Sequence, residues 1–330
     1  MNEQIKARRR QLLLALGGSV ASQAFGQVDP SATYPDRMIR LINPWTPGGP
    51  GETIGRPIAD VLTKAWKQSV IIEHKPGANA VLGSAFVAKS PPDGYTILLG
   101  QTGPNTISPT VGAGTPYDPI KDFAPITQVT SAGLVLGIRA ELPIYSIYDL
   151  IAYGRAKPGS LTFGSVGNGS TTHLAGEMLK ALGNFEMMHV PYKGAAPVLT
   201  DLLGGQISMT FLNVAGIVPY MKGDRIRPIA ITSLKRSAYY PNIPTIAETL
   251  PGFEVTSWYA LLAPGGTPAS IIEKIYVTVA RGLREPGVAN VYKEAGQELT
   301  LSTPQEFERS IRQEISKWSK LVKENKITAE

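Results

Sequence analysis

The 330-residue chain has no cysteine, which excludes disulfides, thiol nucleophiles and thiolate metal sites at once. It has only three histidines, His74, His173 and His189, and none has a second histidine at metal-ligand spacing, so no metal site is expected. Beyond the N-terminus no run reaches eighteen apolar residues, the length a membrane-spanning helix needs. Lysine and arginine never cluster with interleaved aromatics, so nucleic acid is not an expected partner. The formal net charge of +6 overstates the basicity. Three of those charges come from the first 26 residues, where Lys6, Arg8, Arg9 and Arg10 face one acid, Glu3.

Those first residues read as a leader. The basic stretch passes into LLLALGGSVA, and small residues surround Ala24 and Gly26, the pattern of a secretory signal cleaved after Ala24 or Gly26. Arg9-Arg10-Gln11-Leu12-Leu13 also resembles a twin-arginine signal, and the route, secretory or twin-arginine, stays open. Residues 1–26 are therefore set aside, and the protein is expected in the periplasm. About 300 residues remain, more than one hydrophobic core usually organises, which favours two lobes.

Hydrophobic periodicity alternates along the rest of the chain. MIRLINP (38–44), VIIEH (70–74), TILLG (96–100), LTFGS and 187–191 read as strands. Ile54, Ile58, Val61, Leu62 and Ala65 share one helical face, and so do Leu174, Met178, Leu179 and Leu182. Ser146 with Asp149 three residues on marks a helix start, and Gly204-Gly205 ends a helix begun near Pro197. A C-terminal helix is expected from about Pro304 to Lys323. The βαβα order predicts an α/β fold of mostly parallel sheets. With no flexible linker, the lobes should be joined by crossing strands, for which 127–138 and 255–262 are candidates.

Three glycine-rich turns fall where strands hand over to helices: 43–53 (NPWTPGGPGET), 75–83 (KPGANAVLG) and 164–177 (GSVGNGSTTHLAGE). Glycine lets backbone approach a ligand, and the first N–H groups of a helix lack internal partners, so such turns can cradle a carboxylate or phosphate. None matches a P-loop, and the spacing of Gly164, Gly167 and Gly169 reverses the dinucleotide fingerprint. A serine hydrolase would need G-x-S-x-G, which is absent. Ser170 and His173 could touch, but His173 reads better as a capping or ligand-positioning group. His74 and His189, at strand ends, read as structural. Glu52 either complements a helix dipole or receives a ligand hydroxyl, amine or water. Trp45 and Trp258 either line a cleft or fill a core.

Taken in order, Tyr34-Pro35, IRLINPWTPGG, KPGANAVLG, PPDGYTILLG, YDPIKDFAPIT, LTFGSVGNGSTTHLAGE, HVPYKGAAPVLTDLLGGQI, ITSLKRS, PTIAE and LLAPGGTP resemble the Bug family. These are the extracytoplasmic solute receptors of tripartite tricarboxylate transporters. The resemblance implies a type II periplasmic-binding-protein-like fold, two α/β lobes closing on a cleft. Lobe 1 would be 27–130 and 253–330, and lobe 2 would be 131–252. It implies a non-catalytic, monomeric receptor without cofactor, binding a small organic carboxylate for a transporter's membrane subunits or for a membrane sensor. A family carboxylate is held largely by backbone amides. Carried over, that places Thr46, Pro47, Gly48, Gly49, Glu52 and Thr53 on one side, and Ser165, Gly167, Asn168, Gly169, Ser170, Thr171 and His173 on the other. Ala78, Asn79, Ala80, Thr102, Gly103, Asn105 and Asn213 would complete the walls. The family often has Phe-Pro-Pro before the first Gly-Gly and Asp at position 52, so Trp45-Thr46-Pro47 and Glu52 imply a reshaped pocket.

Overall fold

The computed structural model describes residues 29–111, 114–214, 217, 220 and 225–327. The expected leader lies outside them. The first half-sheet is built on β1 (Ile39–Asn43), which pairs in parallel with β2 (Val70–His74) and β3 (Thr96–Gln101). Between them run α1 (Pro50–Trp66) and α2 (Val81–Ala88). Helix α1 begins on a proline, whose missing N–H costs nothing at a first helical position, and it ends on Lys67 in the left-handed region. Its buried stripe is Ile54, Ile58 and Leu62, while Ala65, expected on that face, is exposed and the next residue, Trp66, packs against the core instead.

The 17-residue β4 (Phe123–Arg139) connects the two halves. Phe123–Gly133 pairs antiparallel with β9 (Thr256–Pro264), and Leu134–Ile138 pairs antiparallel with β7 (Met209–Asn213). The second half then continues in parallel through β5 (Thr162–Ser165) to β6 (Met188–Pro191), with β8 (Ile226–Ile231) also on β4. The expectation of mostly parallel sheets therefore needs correction. The wings are parallel, but the centre is antiparallel, because β4 carries the chain out of the first half and β9 brings it back.

Helices α3 (Ile147–Ala156), α4 (Thr171–Gly183) and α5 (Ala195–Leu203) cover the second half. The expected cap of α3 is present: Asp149 N donates to Ser146 Oγ at 3.1 Å. Leu182 stands exposed at the end of α4 rather than on its buried face. Helices α6 (Ala269–Leu283) and α7 (Pro286–Glu294) return to the first half, and the short β10 (Glu298–Leu299) pairs with β4. The C-terminal α8 (Pro304–Asn325) opens with a Thr303/Glu306 capping box. Its Phe307 and Ile311 pack with Trp258 and Leu98 of the first half. Its Trp318, together with Ile327, packs with Phe163 and Leu174 of the second. One helix is thus anchored in both cores.

Candidate functional site

A cavity of about 370 Å³ lies where the two halves meet. Trp45, Gly48, Gly49, Thr53 and Ile54, from the β1–α1 turn and the start of α1, form one wall with Asn79, Gln101 and Gly103. Val166, Ser170, Thr171 and Thr172, from the β5–α4 turn, face it, joined by Ala195, Leu212 and Asn213. Leu134, Ser257, Ala295 and Gln297 close the side nearest the crossing strands. Among these described residues none carries an ionisable side chain. Ile54, Leu134 and Leu212 add an aliphatic surface.

Several polar atoms on these walls have no protein partner: Trp45 Nε1, Asn79 Nδ2, Asn213 Oδ1 and Gln297 Oε1. Buried polar atoms are ordinarily paired, so each of these four residues keeps an unmet hydrogen-bonding capacity beside the cavity. The second glycine-rich turn is held in an unusual backbone shape, with Ala78, Asn79 and Ala80 all at positive φ (46°, 51° and 70°). Non-glycine residues rarely adopt that region, and such strain gathers at ligand-contacting loops.

The β5–α4 turn is rigidly wired. Ser170 caps α4 by accepting from His173 N at 3.2 Å, and it donates to Gly167 O at 2.6 Å. Thr172 Oγ1 accepts from Val166 N at 3.0 Å, and Gly169 N donates to His173 Nδ1 at 3.2 Å. Thr171 and Thr172 therefore occupy the first two helical positions, where an N–H has no partner inside a helix and the helix dipole favours an anion.

Residues 54–327 match the family model described as the tripartite tricarboxylate transporter family receptor. The chain belongs to that family. It is 31% identical over 316 residues to "Protein BugT" of Bordetella pertussis, covering 95% of this chain and 97% of that one. Among solved structures it is similar to Rpa4515 of R. palustris with adipate (35% identity, TM-score 0.80), covering 89% of this chain and 99% of that one. It is also similar to MatC of Rhodopseudomonas palustris with bound malate (28%, TM-score 0.77), covering 88% and 100%. The two-lobe periplasmic-binding-protein fold follows, and with it a receptor rather than an enzyme.

Of the receptor residues expected at the site, Gly48, Gly49, Thr53, Asn79, Gly103, Ser170, Thr171 and Asn213 line the cavity. The others stand behind it or outside it. Thr46 and Pro47 are exposed at the tip of the first turn. Glu52 is a tether: its carboxylate accepts from Gly48 N at 2.9 Å and from Arg56 at 3.1 Å, and these bonds, the Gly48 one first, hold its pKa down. His74 pins the other end of the turn, 2.8 Å from Trp45 O. Ala78 and Ala80 shape the second turn without lining the cavity. Thr102 is buried and accepts from Trp258 N at 2.9 Å, and Asn105 accepts from Gln101 N at 3.0 Å. Gly167, Asn168 and Gly169 form the bend beneath Ser170.

Ser165 is fully buried with its Oγ 2.6 Å from His189 Nε2, and His189 stacks between Phe163 and His173, with 4.0 Å between the imidazole centroids. Burial, together with His189 and Lys180, lowers the pKa of His173 to about 3. Burial and Lys180 lower that of His189 to about 4. Both imidazoles are neutral scaffolding. Sequence reasoning did not find Gln101, Ser257, Ala295 or Gln297 as wall residues. They sit far from any glycine-rich turn, and only the strand pairing brings them there.

Proposed function

We propose that this receptor captures a small organic carboxylate between its lobes in the periplasm, after export by the 1–26 leader. It then passes the ligand to the membrane subunits of a tripartite tricarboxylate-type transporter. The observation that carries this is the start of α4. Thr171 and Thr172, at its first two positions, line a cavity with no charged side chain on its described walls, and an N–H there has no partner inside the helix. Amide dipoles fixed in a water-poor cavity can replace the hydration of a carboxylate without reorganising. The adipate and malate found with two similar proteins support an acid as ligand. The lobes would be 27–130 with 253–330, and 131–252. Bending of β4 at Gly133–Leu134, where its pairing changes, and of the segment entering β9 would close the cleft.

Thermal unfolding of the exported chain across a panel of mono-, di- and tricarboxylates tests this. A receptor holding an acid at a hundred times its Kd gains about 2.7 kcal/mol, a clear rise in Tm. A panel-wide absence of any rise would overturn the reading.

A further inference from the structure

Resting on that reading, we infer that Asn213 and Gln297 form a two-lobe latch at the hinge end of the cavity. Their NH2 groups, one carried by each lobe, both donate to a single acceptor group of the bound acid, and they do so together only when the lobes are closed. Both residues line the cavity. Gln297 is only 6% exposed, and the carboxamide oxygens of both are buried without a partner. With the oxygens closed off, the NH2 is the end of each carboxamide that meets the cavity, and no described residue accepts from it.

Each carboxamide is fixed to its own lobe. Gln297 N donates to Tyr292 O at 2.9 Å, and the buried Tyr292 hydroxyl donates to Ile54 O of α1 at 3.0 Å. Asn213 ends β7, on the same side of the cavity as Thr171. Along β4, one edge is taken by β9 and then by Thr232, with Thr256 opposite Gly133 and Thr232 N donating to Leu134 O at 2.9 Å. The other edge takes β10, with Glu298 opposite Ser131, and then β7, with Asn213 opposite Leu134. Those two positions lie about 10 Å apart along the strand. The change of pairing at Gly133–Leu134 falls between them.

A bend at that point carries Asn213 away with its lobe while Gln297 stays with α1. An acceptor oxygen of the ligand, whether from a carboxylate, a hydroxyl or a carbonyl, then has both donors in the closed form and one in the open form. Such a difference in contacts is what closure requires, because a ligand with equal affinity for both forms shifts nothing. The segment that carries Gln297 also lies against the hinge itself. Ala295 and Gln297 face the ligand cavity, whereas Gly296 and Glu298 line a smaller cavity with Ser131 and Gly133 of β4.

The test is a double-mutant cycle by isothermal calorimetry on the full exported chain. Hexanoate, succinate, malate, adipate and citrate are the probes, and the tightest-binding of them is carried through. Gln297→Met and Asn213→Leu keep the side-chain size and remove the NH2. Each should weaken binding by about tenfold, and the double variant should lose little more than either, because the two donors act as one unit. Gln297→Asn, one methylene too short to reach, should lose affinity likewise. The unliganded Tm should stay unchanged or rise in Gln297→Met, which removes a buried orphan oxygen. The chain has no cysteine, so spin labels at Lys64→Cys and Tyr148→Cys, one exposed site on each lobe, report closure directly. Saturating acid should shorten their separation in the parent and by less in Gln297→Met. Undiminished affinity in both Gln297 variants, losses that multiply in the double variant, or equal shortening in Gln297→Met overturns the latch and leaves the carboxylate receptor standing. A parent that binds none of the acids overturns both.

Discussion

Glu314 lies on α8 midway between its two anchoring points. Trp258 Nε1 donates to its carboxylate at 3.0 Å. Thr106 Oγ1 lies 2.8 Å from Thr102 O and 3.0 Å from Glu314 Oε2. A hydroxyl has one proton and cannot serve both oxygens. A protonated Glu314 resolves the conflict, donating to Thr106 while Thr106 donates to Thr102. Burial does raise the Glu314 pKa, against the lowering pull of Trp258 and Lys317 and with Glu254 adding to the rise. For an acid whose folded pKa is raised, the stability it contributes is complete below its unfolded pKa and is lost as pH rises through the folded one. Glu314→Gln mimics the protonated acid and has nothing to lose. The Tm difference between Glu314→Gln and the parent should therefore grow in the variant's favour from pH 4 to pH 8. Each unit of raised pKa adds about 1.4 kcal/mol, roughly 2 °C per kcal/mol for a chain of this size. Glu314→Leu does not titrate either and should follow the same pH slope, but it leaves the Trp258 indole N–H without an acceptor and should lie about 1–3 kcal/mol below Glu314→Gln at every pH. Melting curves by circular dichroism over that pH range measure both. If Glu314→Gln loses ground as pH rises, Glu314 is held ionised and the reasoning fails.

Two further outcomes follow from the packing behind α4. A Cβ on Gly176 would run into the Phe163 ring, so Gly176→Ala should destabilise by about 1–3 kcal/mol through overpacking, measurable as a lower urea midpoint. Neutral His173 and His189, with pKa values lowered to about 3 and about 4, contribute stability that is full above the ordinary histidine pKa and lost as pH falls toward those values. His189→Gln should therefore flatten the fall in Tm between pH 6.5 and pH 4, and an unchanged slope would mean that the buried histidines are not its source.

Much of the fold was legible because period and caps carry it. The alternation of strands and helices, the Ser146 cap and the last helix are all local signals. The crossing strands were visible as apolar runs, but their antiparallel pairing was not, since nothing in 123–139 says which partner it meets. At the site, the glycine-rich turns bring Gly48, Gly49, Asn79, Ser170 and Thr171 to the cavity wall. What the turns could not reveal is how their amides are spent. Glu52, whose position suits either a helix dipole or a ligand group, accepts the Gly48 N–H. His173 sat in the right motif and faces Gly169. Gln297 and Ser257 come from distant chain segments and carry no local signature at all.

The central claim is that the first amides of α4 hold the ligand's carboxylate, and Thr171→Pro tests it most directly. Proline is tolerated at a first helical position and removes the N–H there together with the threonine hydroxyl, for which Thr171→Val is the control, and Ser170 before it already has the extended backbone a proline requires (φ −81°, ψ 160°). Calorimetry with the tightest-binding acid should show affinity falling by about tenfold, the worth of one charge-assisted hydrogen bond, while the unliganded Tm stays within about 2 °C of the parent. Undiminished affinity in a folded Thr171→Pro protein would contradict the account.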